Sequence, residues 1–385
     1  MIRKIFRTFS ATTILFLTAG LSFGLETGGL FTNDSEFSST QPLKQKNGLN
    51  LWLREALSED GNCYFALEGQ VRNEFKEHQK EESTIAIDAT LAKLVLRKDA
   101  DSGSFEFSAG RFYDQDLSGI VYAQNGDGAK IALALPKIEF SILGAYTGLL
   151  NAKNITILGP EEPVLLEKER VPYIVAKKYA IGKANISIQN LLVQQNLSFE
   201  GLAAFSLEKS KYNRFYTTLK LDGPLIPSVF YEASSTFGFF KKDKEEMTKA
   251  NLSKASITAY PSYKSMSISL NGLYASGEQG DFEAFQGFTS GTATFANSEP
   301  EYTQLALLGI AGTIKPAQNL LLKATGDIVF DAKKEIEQTG VLFSAEAKWQ
   351  AASDLSLGAG LYQYFGKETA VDDRLLFKLN AVLAF

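Results

Sequence analysis

The chain is poor in the residues that most chemistry needs. Its 385 residues hold one cysteine, Cys63, and one histidine, His78. A lone cysteine excludes an internal disulfide. A lone histidine, set among Lys76, Glu77, Lys80 and Glu81, excludes a multi-histidine metal site and argues against a Ser-His or Asp-His hydrolase. Cys63 has no basic neighbour in sequence to draw down a thiolate. No phosphate loop, dinucleotide fingerprint or CxxC occurs, so neither enzymatic activity nor a cofactor is expected. Past residue 25 there is no apolar run of ~20 residues, which excludes helical membrane spans.

Charge excludes another class. Lys and Arg number 39 against 44 Asp and Glu, a net charge of −5. Three of those cations, Arg3, Lys4 and Arg7, form the positive head of an apolar stretch from Ala11 to Phe23. Ser22 and Gly24 put small residues where signal peptidase reads, so residues 1–24 are expected to be a cleaved leader and residues 25–385 the mature protein. Without its leader the chain is more acidic still, which argues against a nucleic-acid partner.

What the sequence does have is alternation. Segments of about ten residues, the length a tilted membrane strand needs, recur with period two. Phe65, Leu67, Val71 and Phe75 alternate with Glu68, Gln70, Arg72 and Glu74. Ile131, Leu133 and Leu135 alternate with Lys130, Ala132 and Ala134. After the Pro136-Lys137 corner, Ile138, Phe140 and Ile142 alternate with Glu139 and Ser141. A soluble sandwich would alternate too, but at this length it would divide into domains of ~100 residues joined by linkers. No linker is visible. Short turns at Pro136-Lys137, Gln194–Asn196, Asp222–Pro227, Pro261–Lys264, Lys315–Gln318 and Ala351–Asp354 separate longer polar loops, among them Leu149–Glu169, Ser276–Glu301 and Gly366–Asp373. Short turns at one end and long loops at the other predict an all-β, single-domain, antiparallel up-and-down transmembrane barrel.

The final strand, Leu375 to Phe385, places Leu375, Phe377, Leu379, Ala381, Leu383 and Phe385 on one face. It resembles the C-terminal strand of bacterial outer-membrane barrels. That resemblance implies outer-membrane lipid as surroundings, with Phe385 as an insertion signal read by the barrel-assembly machinery. Fixing this strand's direction fixes every earlier one. Arg170–Ile181 then falls in a loop or extends the next strand, and Leu30–Ser38 becomes an extra strand ahead of Leu49. The count is about eighteen, with sixteen open.

Sixteen to eighteen strands leave an aqueous interior. The positions expected to line it are Glu68, Arg72, Glu74, Asp88, Glu106, Lys130, Glu139, Arg214, Lys220, Glu232, Lys323, Asp327, Glu346 and Lys348. Charges of both signs would set the transverse field of a channel passing small hydrophilic solutes; cross-strand pairing alone is the plainer alternative for any one of them. Gly110-Arg111 ends an outward strand, Tyr113–Gly128 forms a polar loop, and the next strand starts at Ala129. This arrangement resembles porins and the alginate-export type of eighteen-stranded barrel. It implies an inward-folded loop narrowing the pore with Asp114, Asp116 and Asp127, against an ordinary exposed loop. The basic lumen a polyuronate would require is not evident. A second reading rests on Ser276–Glu301, whose Phe282, Phe285, Phe288 and Phe295 would either form an adhesive surface for a host or partner ligand or pack the loop onto the barrel mouth. A homotrimer is left open.

Overall fold

The computed structural model describes residues 25–39, 43–76, 84–158, 171–192, 194–209, 211–261, 265–278, 282–289, 303–333, 335–367 and 373–385. The expected leader, His78 and Phe295 lie outside the described residues.

Alternation of apolar and polar side chains gives each segment one face for lipid and one for water, and closure leaves no unpaired sheet edge. The chain does both. Eighteen strands pair antiparallel with their sequence neighbours in one sheet, and the first closes on the last. They are β1 (Glu26–Ser38), β2 (Lys44–Ala56), β3 (Cys63–Lys76), β4 (Thr84–Ala100), β5 (Gly103–Gln115), β6 (Ala123–Ala134), β7 (Ile138–Tyr146), β8 (Tyr179–Ile188) and β9 (Asn196–Ser206). The second half comprises β10 (Tyr212–Ile226), β11 (Val229–Lys242), β12 (Thr248–Ala259), β13 (Met266–Ala275), β14 (Leu305–Ala317), β15 (Leu320–Asp331), β16 (Glu337–Gln350), β17 (Leu355–Gly366) and β18 (Arg374–Ala384). The count of eighteen holds. Residues 171–178 precede β8 as irregular chain, and the strand ahead of Leu49 is β1.

The seam between β1 and β18 runs in register from Leu30↔Ala384 to Ser38↔Leu376. Gly29 and Phe385 exchange backbone hydrogen bonds of 2.8 and 3.0 Å. A side chain at Gly29 would overlap the Phe385 ring, so the glycine is where the terminal aromatic lies down. Phe37 and Phe377 meet above it, 6.1 Å between ring centres.

Outside, the wall is apolar: Ile85, Ile87, Phe105, Ile131, Phe140, Ile142, Phe199, Leu219, Phe343 and Leu361 are all exposed. A wall of that kind around a polar interior is what spanning a bilayer demands of strands.

Candidate functional site: an eccentrically filled lumen

The interior divides into a dry arc and a wet arc. Strands β5 to β16 turn apolar side chains inward near the long-loop end: Phe112, Leu143, Ile181, Leu202, Tyr216, Phe240, Leu252, Leu305 and Leu342 are buried there. Side chains on the inner face of a wide barrel are buried only if something covers them. Three segments do so.

The first is the turn at 116–122. The β4–β5 ladder stops at Ala92↔Arg111, just where Gly110 adopts φ +117°. A side chain at Gly110 would overlap the Ala92 carbonyl, so only glycine makes this bend. Arg111 clamps it. Its guanidinium donates to both carboxylate oxygens of Asp127 at 2.7 and 2.9 Å, to Asp88 at 2.9 Å, and to the carbonyls of Ala89 (2.9 Å) and Leu149 (2.5 Å). The hairpin then lies over the inner faces of β8 and β9, and the amide of Leu117 donates to Glu200 on β9 at 3.1 Å. Asp116 is spent inside the turn, accepting from the amides of Ser118 (2.8 Å) and Tyr122 (2.9 Å). Asp114 sits beneath it between Lys130 (2.7 Å) and Lys183, which also approaches Glu200 at 3.7 Å. Burial holds the Tyr122 hydroxyl well above its usual pKa.

The second is the segment 282–289. Phe285 and Phe288 are fully buried. Phe288 packs on Tyr179 and Tyr122, with ring centres 5.1 and 6.1 Å apart. Its amide and that of Thr289 donate to the Val121 carbonyl at 2.8 and 3.0 Å, stitching the two segments together. Arg214 is 0% exposed, stacked 4.7 Å from the Phe288 ring and 4.9 Å from Tyr212, and donates to the Gly287 carbonyl at 3.0 Å. Tyr216 donates to the Gln286 carbonyl at 2.9 Å.

The third is a strap of residues 149–158 and 171–176 lying on the upper part of β3 and β4. Arg72 donates to the Lys153 carbonyl, Asn154 to Asp88 at 2.9 Å, and the Ile87 amide to the Pro172 carbonyl at 3.0 Å. The Leu158 amide reaches the Phe288 carbonyl at 3.0 Å, so the strap also holds segment 282–289, the plug of this lumen.

The other side of the lumen, from β15 through β18 to β2, is wet. A cavity of about 490 Å³ there is lined by Asp34, Glu36, Lys46, Lys323, Glu346, Lys348, Tyr362, Lys378 and Asn380. Their charges pair across strands: Lys378–Glu36 at 3.0 Å and Lys323–Glu346 at 3.5 Å. Asn380 donates to Asp34 at 2.5 Å.

The residues singled out from sequence therefore separate. Lys323, Glu346 and Lys348 border the wet cavity, and Asp327 is half-buried on β15. Glu68 accepts from Thr90 at 2.6 Å, and Glu74 pairs with Lys44 at 3.2 Å. Glu106 pairs with Lys93 at 3.9 Å, Lys220 with Glu232 at 3.0 Å, and Glu139 accepts from Gln189 at 2.5 Å. Arg72 and Asp88 are held by the strap, Lys130 supports Asp114, and Arg214 lies under the plug. Asp114 and Asp116 are buried at the foot and base of the 116–122 turn. Asp127 is not in a loop: β5 continues to Gln115 and β6 begins at Ala123, where a Tyr113–Gly128 loop was expected. Asp127 instead belongs to the clamp that bends the hairpin. Sequence reasoning missed Glu36, Lys46, Lys183 and Lys378. Strand parity could have found Lys378, which shares a face with Asn380, but nothing local marks Lys183.

No protein-family model and no curated protein matches the chain. Solved structures do. OccK11 (OpdR) of Pseudomonas aeruginosa superposes with a TM-score of 0.62 at 12% identity, over 94% of this chain and 96% of that one. OccD3 (OpdP) of the same organism gives 0.61 at 11%, over 94% and 91%. OccAB1 of Acinetobacter baumannii gives 0.63 at 9%, over 94% and 96%. At such identities the likeness is one of fold, and the fold is that of the Occ-type outer-membrane porins, closed barrels of eighteen strands.

Proposed function

We propose that this protein is a channel in the bacterial outer membrane, reached after removal of residues 1–24, that lets small hydrophilic solutes diffuse passively past charges of both signs. The observation that carries the reading is the wet arc. Lys323, Lys348 and Lys378 face the same cavity as Asp34, Glu36 and Glu346, while the outer wall is apolar. Charged groups around water inside a lipid-facing wall serve solutes that prefer water to lipid. Passage by diffusion requires no catalytic group and no cofactor.

The adhesive alternative for the Ser276–Glu301 loop loses its support from Phe285 and Phe288, since both rings are spent inside the barrel. The test is stepwise current from the refolded mature protein in a planar bilayer, followed by reversal potentials in a salt gradient. Stable insertion with no steps above the bilayer's own noise would refute the channel.

A further inference from the structure

Among the described residues, the outer wall carries a cross-strand cluster of polar side chains that lipid does not explain. Asn33 on β1, Asn47 on β2 and Asn73 on β3 fall in a single cross-strand row, Asn33↔Asn47↔Asn73. Their parity is that of Phe31, Leu49 and Val71, so they face outward. The next row up adds Ser35↔Gln45. On the same face the patch is bounded above by Phe37, Phe75 and Phe377 and below by Phe31, Leu49 and Val71, which places it within the apolar belt rather than at its edge. No charged side chain lies in it.

Within the patch, hydrogen bonding is incomplete. Asn33 donates to the Asn47 oxygen at 2.6 Å, and Ser35 donates to the Asn33 oxygen at 3.4 Å. The amide hydrogens of Asn47 and the whole amides of Asn73 and Gln45 make no side-chain hydrogen bond among the described residues. Acyl chains supply neither donors nor acceptors, so a lipid-facing location leaves these groups unsatisfied. The opposite wall shows what a polar group needs in order to face lipid alone. There, half-way round the ring, Asn251 donates to Ser235 at 3.0 Å and to the Thr236 carbonyl at 3.3 Å, and accepts from Ser253 at 2.9 Å. That cluster closes on itself; the row on β1–β3 does not.

We propose that the β1–β3 face is an interface between two copies of this chain, packed face to face about a two-fold axis along the barrel. A carboxamide is both donor and acceptor, so an open row of them is complementary to its own image. A two-fold contact brings one patch onto its copy and closes at two subunits, which suits a barrel whose opposite wall is satisfied without a partner. In a bilayer, interfaces between proteins are held by close packing and by hydrogen bonds of this kind. The inference rests on the wall being membrane-embedded, as the proposed function requires.

The experiment uses the full mature protein in lipid vesicles, with Cys63→Ser as background. Asn47→Cys, near the centre of the patch, is expected to form a disulfide-linked dimer on mild oxidation, whereas Ser253→Cys on the opposite wall is expected to stay monomeric. In parallel, Asn33→Val with Asn47→Leu and Asn73→Val should keep the barrel folded and weaken self-association at least tenfold, read by mass photometry. Asn47→Cys that stays monomeric, equal crosslinking at Ser253→Cys, or a particle of three copies would overturn the proposal. So would a triple variant that associates as before and resists heat better, because that is how removal of lipid-facing polar groups behaves. Failure to enter vesicles at all would instead strike the membrane reading beneath it.

Discussion

Replacing Phe288 by alanine tests whether the lumen is narrowed by a segment that can leave. The ring is fully buried against Tyr179, Tyr122 and the Arg214 guanidinium. Truncating a buried phenylalanine costs ~3–5 kcal/mol where the surroundings cannot collapse. Here nearly all of that cost falls on the plugged state, because the barrel's own ladders do not involve residue 288. The backbone bonds to Val121 and Leu158 and the Arg214 bond to Gly287 survive the substitution, so the plug is weakened rather than deleted. At ~1.4 kcal/mol per factor of ten, even the low end raises the ratio of unplugged to plugged molecules by about a hundredfold. In single-channel recordings of F288A this should appear as frequent transitions to a larger conductance level, rare in the parent. The folded variant should keep the parent's heat-modifiable mobility and circular dichroism, since all eighteen strands remain. F288A channels with unchanged conductance and gating, in a barrel shown to be folded, would refute the assignment of 282–289 as the restriction.

Other consequences are more local. Arg111→Ala leaves Asp88 and Asp127 without their cation in a largely buried site, which should cost ~3–5 kcal/mol in urea unfolding from lipid vesicles; Arg111→Lys should recover only part, having no bidentate fork for Asp127. Gly110→Ala should perturb the same bend from the backbone, through φ +117° and the Ala92 carbonyl, and should alter conductance more than Gly182→Ala, where a side chain meets nothing. Lys323→Glu with Lys348→Glu makes the wet arc acidic and should move the reversal potential in a salt gradient toward cation selectivity, whereas Lys183→Met, behind the 116–122 turn, should move it little. Equal shifts in the two would show that solutes do not keep to the wet side.

The parts legible in sequence were those governed by period two. A barrel of about eighteen strands, their alternating directions and the alternation of short turns with long loops all follow from side chains choosing between lipid and water, a choice made within ten residues, although that choice alone left sixteen strands open. The Gly110-Arg111 and Asp127-Gly128 pairs were visible as a motif, but their work was not. An ion pair between neighbouring strands is a matter of register, and the loop length inferred from polarity overran into β5 and β6. Least legible was the plug. The parity that makes Arg214 and Tyr216 inward-facing says nothing of whether water or Phe288 awaits them, because that depends on a segment 70 residues away folding back into the barrel. The aromatic content of Ser276–Glu301 was the one available signal, and it was compatible with an outer surface as readily as with an inner one.

The division of the lumen also alters what strand number means for selectivity. Eighteen strands would suit a wide and poorly selective hole, yet the apolar inward side chains of β5 to β16 would be unfavourable as the wall of such a hole. They exist because the 116–122 and 282–289 segments cover them. Fold and filling are thus encoded together: the same alternation that writes charged residues inward on β1, β2, β15, β16 and β18 writes Leu202, Tyr216, Phe240 and Leu252 inward elsewhere. In the channel proposed above, a solute would be confined to one side of the barrel, within reach of Lys323, Glu346, Lys348 and Lys378. Selectivity in that channel would rest on a few charges along one wall, with the barrel's circumference setting only how much plug that wall must face.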